Sequence, residues 1–155
     1  MITRQADYAV RSVLDLALRQ PDQAAFSRDI AERQDIPPSF LAKILTRLAA
    51  QGIVQTQRGV NGGVRLARPA REITLLQVVE AIDGPLSLNL CTRGPGLCPR
   101  ENDCVVHPLW DLIGAEMRQR LHGITFGRLA EAAESGLPLS LPQLGGLASA
   151  EARAA

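Results

Sequence analysis

The stretch FLAKILTRLAAQGIVQTQRGVNGGVRLA, residues 40–67, changes its hydrophobic period midway. In its first half Phe40, Leu41, Ile44, Leu45 and Leu48 recur at helical spacing and predict one buried helix face. The opposite face carries Ser39, Ala42, Lys43, Thr46 and Arg47, and Gly52 closes the helix. Beyond it, two short extended runs flank a turn rich in Gly and Asn, which predicts a β-hairpin.

Upstream, DYAVRSVLDLALR spaces Val10, Val13, Leu14 and Ala17 as a first helix. Ser27 suits the N-cap of a second helix, and the prolines of DIPPS suit the start of the third. Three helices and then a two-stranded ribbon is the order of a winged helix-turn-helix, whose exposed third-helix face enters the major groove. That places Ser39, Lys43, Thr46 and Arg47 against DNA. At the wing tip Arg58 reaches toward a minor groove, and the small tip around Asn61 and Gly62 lets the backbone approach phosphates.

Charge supports the same surface. The net charge is only +1, yet no acidic residue lies between Ile36 and Arg71, where Lys43, Arg47, Arg58, Arg65, Arg68 and Arg71 stand. Such a local excess predicts an anion-facing surface, here double-stranded DNA. A protein-interaction winged helix is the competing reading of the motif.

Downstream, ITLLQVVEAIDG predicts a fourth helix ending at Gly84. A long helix follows from Pro108, with Leu109, Ile113, Met117 and Leu121 four apart, and TFGRLAEAAESG predicts a short last helix. A chain of 155 residues that is 46% hydrophobic buries a core without staples. The mainly α chain therefore divides into a winged unit over 1–84, a loop over 85–107, the long and terminal helices over 108–135, and a flexible tail over 136–155. No apolar run approaches the roughly 18–20 residues of a membrane span. The N-terminus has no signal-peptide pattern, so a cytoplasmic protein is expected. No paired nucleophile and base or phosphate-cradling loop points to an enzyme.

The loop holds all three cysteines, Cys91, Cys98 and Cys104, and then His107. A reducing compartment and an odd count argue against a disulfide framework. Structural zinc sites pair cysteines only two to four residues apart. The gaps here are wider, and suit a loop wrapped around an iron–sulfur cluster, in which imidazole can replace a thiolate. Zinc, a thiol-based redox switch and three merely buried thiols are the other readings.

Together, DYAVR, RGVNGGVRLARPA, the three-cysteine loop and CVVHPLW followed by ITFGRLAE resemble the Rrf2 family of bacterial winged-helix regulators. The resemblance covers roughly residues 1–135. It implies a homodimer joined through the long helix, and a cluster that senses iron–sulfur status, oxidants or nitric oxide and alters operator binding, most often as a repressor. IscR-like members of the family add a histidine to three cysteines for a 2Fe–2S cluster, and His107 matches that position. NsrR-like members use an N-terminal aspartate of the partner subunit for a 4Fe–4S cluster, and Asp7 matches that one. His107 with 2Fe–2S is the favoured assignment. Two positions depart from the relatives. The first cysteine gap has six residues where theirs has five, and Ala42 replaces a glutamate that discriminates operators in the IscR-like branch. A metal-free or thiol-based winged-helix regulator, or a redox or cluster-carrier protein, is the alternative function.

Overall fold

The computed structural model describes residues 2–19, 23–57 and 62–136. Its elements in chain order are α1 (Arg4–Ala17), α2 (Ser27–Arg33), α3 (Pro38–Ala50), β1 (Val54–Gln57), β2 (Gly63–Leu66), α4 (Leu75–Asp83), α5 (His107–Gly123) and α6 (Phe126–Ser135). Two 3-10 turns, Ala70–Glu72 and Leu90–Thr92, punctuate the connections. This is the mainly α winged helix-turn-helix that the period change in residues 40–67 predicts.

One core joins nearly all of it. Ala6, Ala9, Val13 and Leu16 of α1 form its floor, spaced one helical turn apart. Ile30 of α2, then Leu41, Ile44, Leu45 and Leu48 of α3, pack on them with Val78 and Ile82 of α4. The expected inward residues Val10, Leu14 and Ala17 lie at the edge of this core, half-buried. Phe40 departs from expectation more clearly, standing 44% exposed. It falls about 100° round the helix from Leu41, outside the stripe that Leu41, Ile44, Leu45 and Leu48 share.

Ser27 is the first residue of α2 and not its cap. Ala25 pairs with Val64 as an isolated bridge, which holds Phe26 extended and makes Phe26 the N-cap, without a side-chain bond. The chain therefore turns one residue earlier than the Ser signal suggests. The same bridge explains Gly63, whose φ is 152° and where a Cβ would lie 2.9 Å from the Ala25 carbonyl oxygen. Only glycine admits that approach. The hairpin register pairs Gln55 with Arg65 and Thr56 with Val64. The wing tip, with Arg58 and Asn61, lies outside the described residues, as does the predicted flexible tail beyond Gly136. Gly62, the first described residue after the tip, is buried where the chain enters β2.

Asp15 is a buried carboxylate on α1, and Arg33 grips it with Nε and Nη2 at 2.8 Å each while Gln34 donates at 3.2 Å. Burial alone pushes its carboxyl up, but the Arg33 and Gln34 bonds and the charges of Arg33 and Arg19 outweigh it and hold it below the usual range. A carboxylate with a lowered folded pKa stabilises the fold above its unfolded pKa, and that contribution is lost as pH falls through the folded value. Arg33→Ala is expected to cost roughly 1.5–3 kcal/mol at neutral pH by removing charge-assisted bonds. Urea unfolding should show that cost shrinking in acid as Asp15 protonates. A cost that stays constant with pH would rule this pairing out as the cause.

The last helix is not an appendage. Phe126 is fully buried in the central core, and its N–H donates to the Ile73 carbonyl at 2.9 Å. Thr74 and Thr125 form a bridge, with Leu75 N–H donating to Ile124 O at 2.8 Å. α6 thus packs back on α1 and shares the core of the winged unit. Among the described residues no helix is long and apolar enough to cross a membrane.

Candidate DNA interface and cysteine loop

On α3, Ser39, Ala42, Lys43, Thr46 and Arg47 are all exposed, because the buried stripe of the helix turns them outward. Lys43 has no acidic partner among the described residues. The Thr46 hydroxyl donates to the Ala42 carbonyl at 2.9 Å, which leaves its oxygen free to accept. Arg47 is only partly available, since Nη1 donates to the Ile82 carbonyl at 3.1 Å and so ties α3 to the last turn of α4. A groove of about 410 Å³ separates α3 from the hairpin, lined by Ala42, Thr46, Thr56 and Gly63. An exposed helix face bearing a free ammonium, beside a ribbon, has the geometry that a winged helix-turn-helix offers to a duplex.

The cysteine loop begins after Gly84, whose φ of 77° ends α4. Its entrance is pinned on both sides: Leu86 N–H donates to Glu80 Oε1 at 2.9 Å, and Arg118 Nη1 of α5 donates to Leu86 O at 3.1 Å. Asn89, with its amide oxygen toward α5, accepts from Trp110 Nε1–H at 3.2 Å. Cys91 lies in the turn Leu90–Thr92, and the rest of the loop is a chain of tight turns such as Gly96 N–H to Glu101 Oε2 at 2.7 Å.

Cys91, Cys98 and Cys104 are free and half-buried. Among the described residues no three His, Cys, Asp or Glu side chains meet at a metal-holding centre. The loop therefore carries the donors without closing them on one point. His107 opens α5, bonded through its N–H to Cys104 O at 3.2 Å. Its ring is 14% exposed, Nε2 lies 3.2 Å from Asp111 Oδ2, and Nδ1 is buried with no hydrogen-bond partner. A histidine that ligates metal usually gives its other nitrogen to a carboxylate, which fixes the tautomer and leaves a bare nitrogen for the metal. The arrangement of His107 and Asp111 is of that kind, and three thiols with an imidazole are the donor chemistry of a soft-metal site. Asp7, in the first turn of α1, is 58% exposed and lies 3.1 Å from Arg11 Nε. Among the described residues it makes no hydrogen bond or ion pair with the loop of its own chain.

Sequence reasoning missed Asp111, Glu80, Arg118 and the Asn89–Trp110 contact. The His107–Asp111 spacing of four on a predicted helix was a usable signal; the others are distant in sequence and carried none.

α5 buries only Gly114. Leu109 (49%), Leu112 (58%) and Ile113 (38%) are exposed, with Trp110 and Val106 beside them, while Met117 and Leu121 are half-buried. The expected stripe is thus part of a broader exposed apolar surface.

The sequence matches the model of one family, described as an iron-dependent transcriptional regulator family, Rrf2, over residues 2–132. It is 36% identical over 144 residues to a candidate HTH-type transcriptional regulator of Mycobacterium tuberculosis, covering 92% of this chain and 87% of that protein. It is 34% identical over 128 residues to the HTH-type transcriptional regulator IscR of Vibrio campbellii, covering 83% of this chain and 76% of the relative. Its fold resembles that of CymR, the global cysteine regulator of B. subtilis, with a TM-score of 0.72 at 21% identity, covering 84% and 96% of the two chains.

Proposed function

We propose, from the premise that this chain belongs to the Rrf2 family and is a DNA-binding transcriptional regulator and not an enzyme, that it senses its signal through an iron–sulfur cluster. The reading rests above all on His107, whose buried Nδ1 lacks a partner while Asp111 holds Nε2 at the end of a loop with three thiols. Cys91, Cys98, Cys104 and His107 would hold the group, 2Fe–2S being the form suited to three thiolates and an imidazole. Asp7 of a partner subunit is the alternative fourth donor, with 4Fe–4S. When bound, the group supplies reactivity toward oxidants and nitric oxide and a dependence on iron–sulfur supply.

The residues of the chain supply the rest. Glu80 and Arg118 fasten the loop entrance to α4 and α5, so a change in loop order is carried to both. α4 packs on α3 and receives Arg47. The apolar surface of α5 pairs two copies, and a two-fold dimer presents its recognition helices about one DNA turn apart to a palindromic operator. Ordering or releasing the loop then biases the angle between those helices. The site of action is the cytoplasm, and the action is repression of iron–sulfur, redox or nitric-oxide stress genes.

Anaerobic purification with absorption and Mössbauer spectra tests the proposal: a coloured protein with cluster signals is expected. A colourless protein with three alkylatable thiols would favour the second reading, a thiol-based regulator, which the unconverged, half-buried cysteines support.

DNA contact has its own test. Operator affinity is expected to fall with salt at a log–log slope near −0.9 per phosphate contacted. Lys43→Ala should lower that slope by about one phosphate contact. Arg58→Ala should cost roughly 1–3 kcal/mol where it reads a groove, and less where it meets only phosphate. Salt-independent binding would sink the interface as drawn.

A further inference from the structure

The basic residues of the acid-free stretch do not share one surface. Lys43 and Arg47 stand on α3, but Arg65, Arg68 and Arg71 line an open cleft of about 620 Å³ between the end of α1, the hairpin and α6. Successive side chains on a strand point to opposite faces. The pair Thr56 and Val64 lines the groove beside α3, whereas the pair Gln55 and Arg65 lines this cleft. The cleft therefore lies on the far side of the ribbon from the recognition groove.

Its charge is unbalanced. Arg19 also lines it but lies 3.5 Å from Asp15, and Glu131 of α6 is the acid in its wall. Among the described residues Arg65, Arg68 and Arg71 have no carboxylate within ion-pair distance. Arg68 also lines the cleft, but it gives Nη2 to the amide oxygen of Gln77 at 3.2 Å, a residue of α4 that lines a separate pocket, so Arg65 and Arg71 are the uncommitted guanidiniums of this wall. Like charges along one wall repel, and an anion bound between them offsets that repulsion. Leu16, Leu66 and Pro69 make much of the remaining wall apolar.

We infer that this cleft binds a small organic anion, a carboxylate or phosphate group on an apolar body, through Arg65 and Arg71. Planar guanidinium forks take such groups two bonds at a time. The apolar wall takes the body, which a bare ion or a DNA backbone lacks. A bound anion would tie β2 to the turn that follows it. It would be an input to the wing separate from the cysteine loop, and it does not depend on the cluster proposal.

The test uses the full chain and calorimetric titration with phenyl phosphate, benzoate and inorganic phosphate, against sodium chloride at matched ionic strength. Saturable binding of phenyl phosphate or benzoate, tighter than that of inorganic phosphate, is expected, and the tighter of the two identifies the head group. The Arg65→Gln/Arg71→Gln protein should bind about a hundredfold more weakly, as two charge-assisted bonds are lost. It should keep its ligand-free unfolding midpoint and its operator affinity. Glu131→Gln should bind more tightly, because a repelling carboxylate is gone. Heats no larger than those of sodium chloride, or equal binding by the double variant, would overturn the inference. So would a double variant that loses operator affinity, which would make these arginines DNA contacts.

Discussion

Cys98→Ala is expected to abolish cluster absorption entirely while leaving helicity, unfolding midpoint and dimer intact. Cys98 is the middle donor of the loop, and a cluster with four protein ligands does not tolerate loss of a thiolate in favour of a methyl. The fold should be indifferent to it, because none of the three cysteines belongs to the hydrophobic core. His107→Ala and Asp7→Ala then separate the two candidate fourth ligands. His107 has the bare, buried Nδ1, whereas Asp7 is mostly exposed beside Arg11. Loss of His107 should therefore shift the spectrum and raise lability, and loss of Asp7 should do neither. Asp111→Ala, which removes only the carboxylate on Nε2, should weaken cluster retention by roughly 10–100-fold. A folded Cys98→Ala protein that keeps its cluster, or loses it with no change at any operator, would remove the loop from the sensing role.

Phe126→Ala is expected to cost about 3–5 kcal/mol, measured as a lower urea midpoint with an unchanged slope. The ring is fully buried in the core where α6 packs on α1, so its removal leaves a cavity that rigid helices cannot close. Its neighbour Gly127 already sits so close to Arg71 that an added Cβ would lie 3.1 Å from the Arg71 backbone, so α6 has little room to slide inward. Against a typical total stability of about 5–15 kcal/mol, this loss is large enough to lower DNA binding at growth temperature through unfolding alone. A cost below about 1 kcal/mol would mean that α6 is a peripheral arm.

The exposed face of α3 and the hairpin beside it were legible in residues 40–67 because helix and hairpin are local: each is announced by its own period and closed by its own glycines. Leu41, Ile44, Leu45 and Leu48 are buried as that period demands, and Ser39, Lys43, Thr46 and Arg47 are exposed. The same local logic marked Gly84 as the end of α4 and the donors Cys91, Cys98, Cys104 and His107 as one loop. It misjudged Phe40, which lies at the edge of its stripe, and Ser27, whose capping signal yields to the Ala25–Val64 bridge.

By itself, then, the sequence determined the winged helix, the order of its helices and the gathering of three thiols in one loop, since those follow from spacing along one chain. Tertiary structure decided which charges face which partner. Arg47 turns to the Ile82 carbonyl 35 residues away, Arg68 turns to Gln77, and Arg65 and Arg71 line a cleft across the ribbon from α3, although one basic run holds them all. It also decided that α6 closes the core of α1, because the bridge between Thr74 and Thr125 joins residues 51 apart in sequence, and that His107 is oriented by Asp111. A periodic pattern says which face of an element is apolar. Only the packing of distant elements says what that face, and the polar one behind it, will meet.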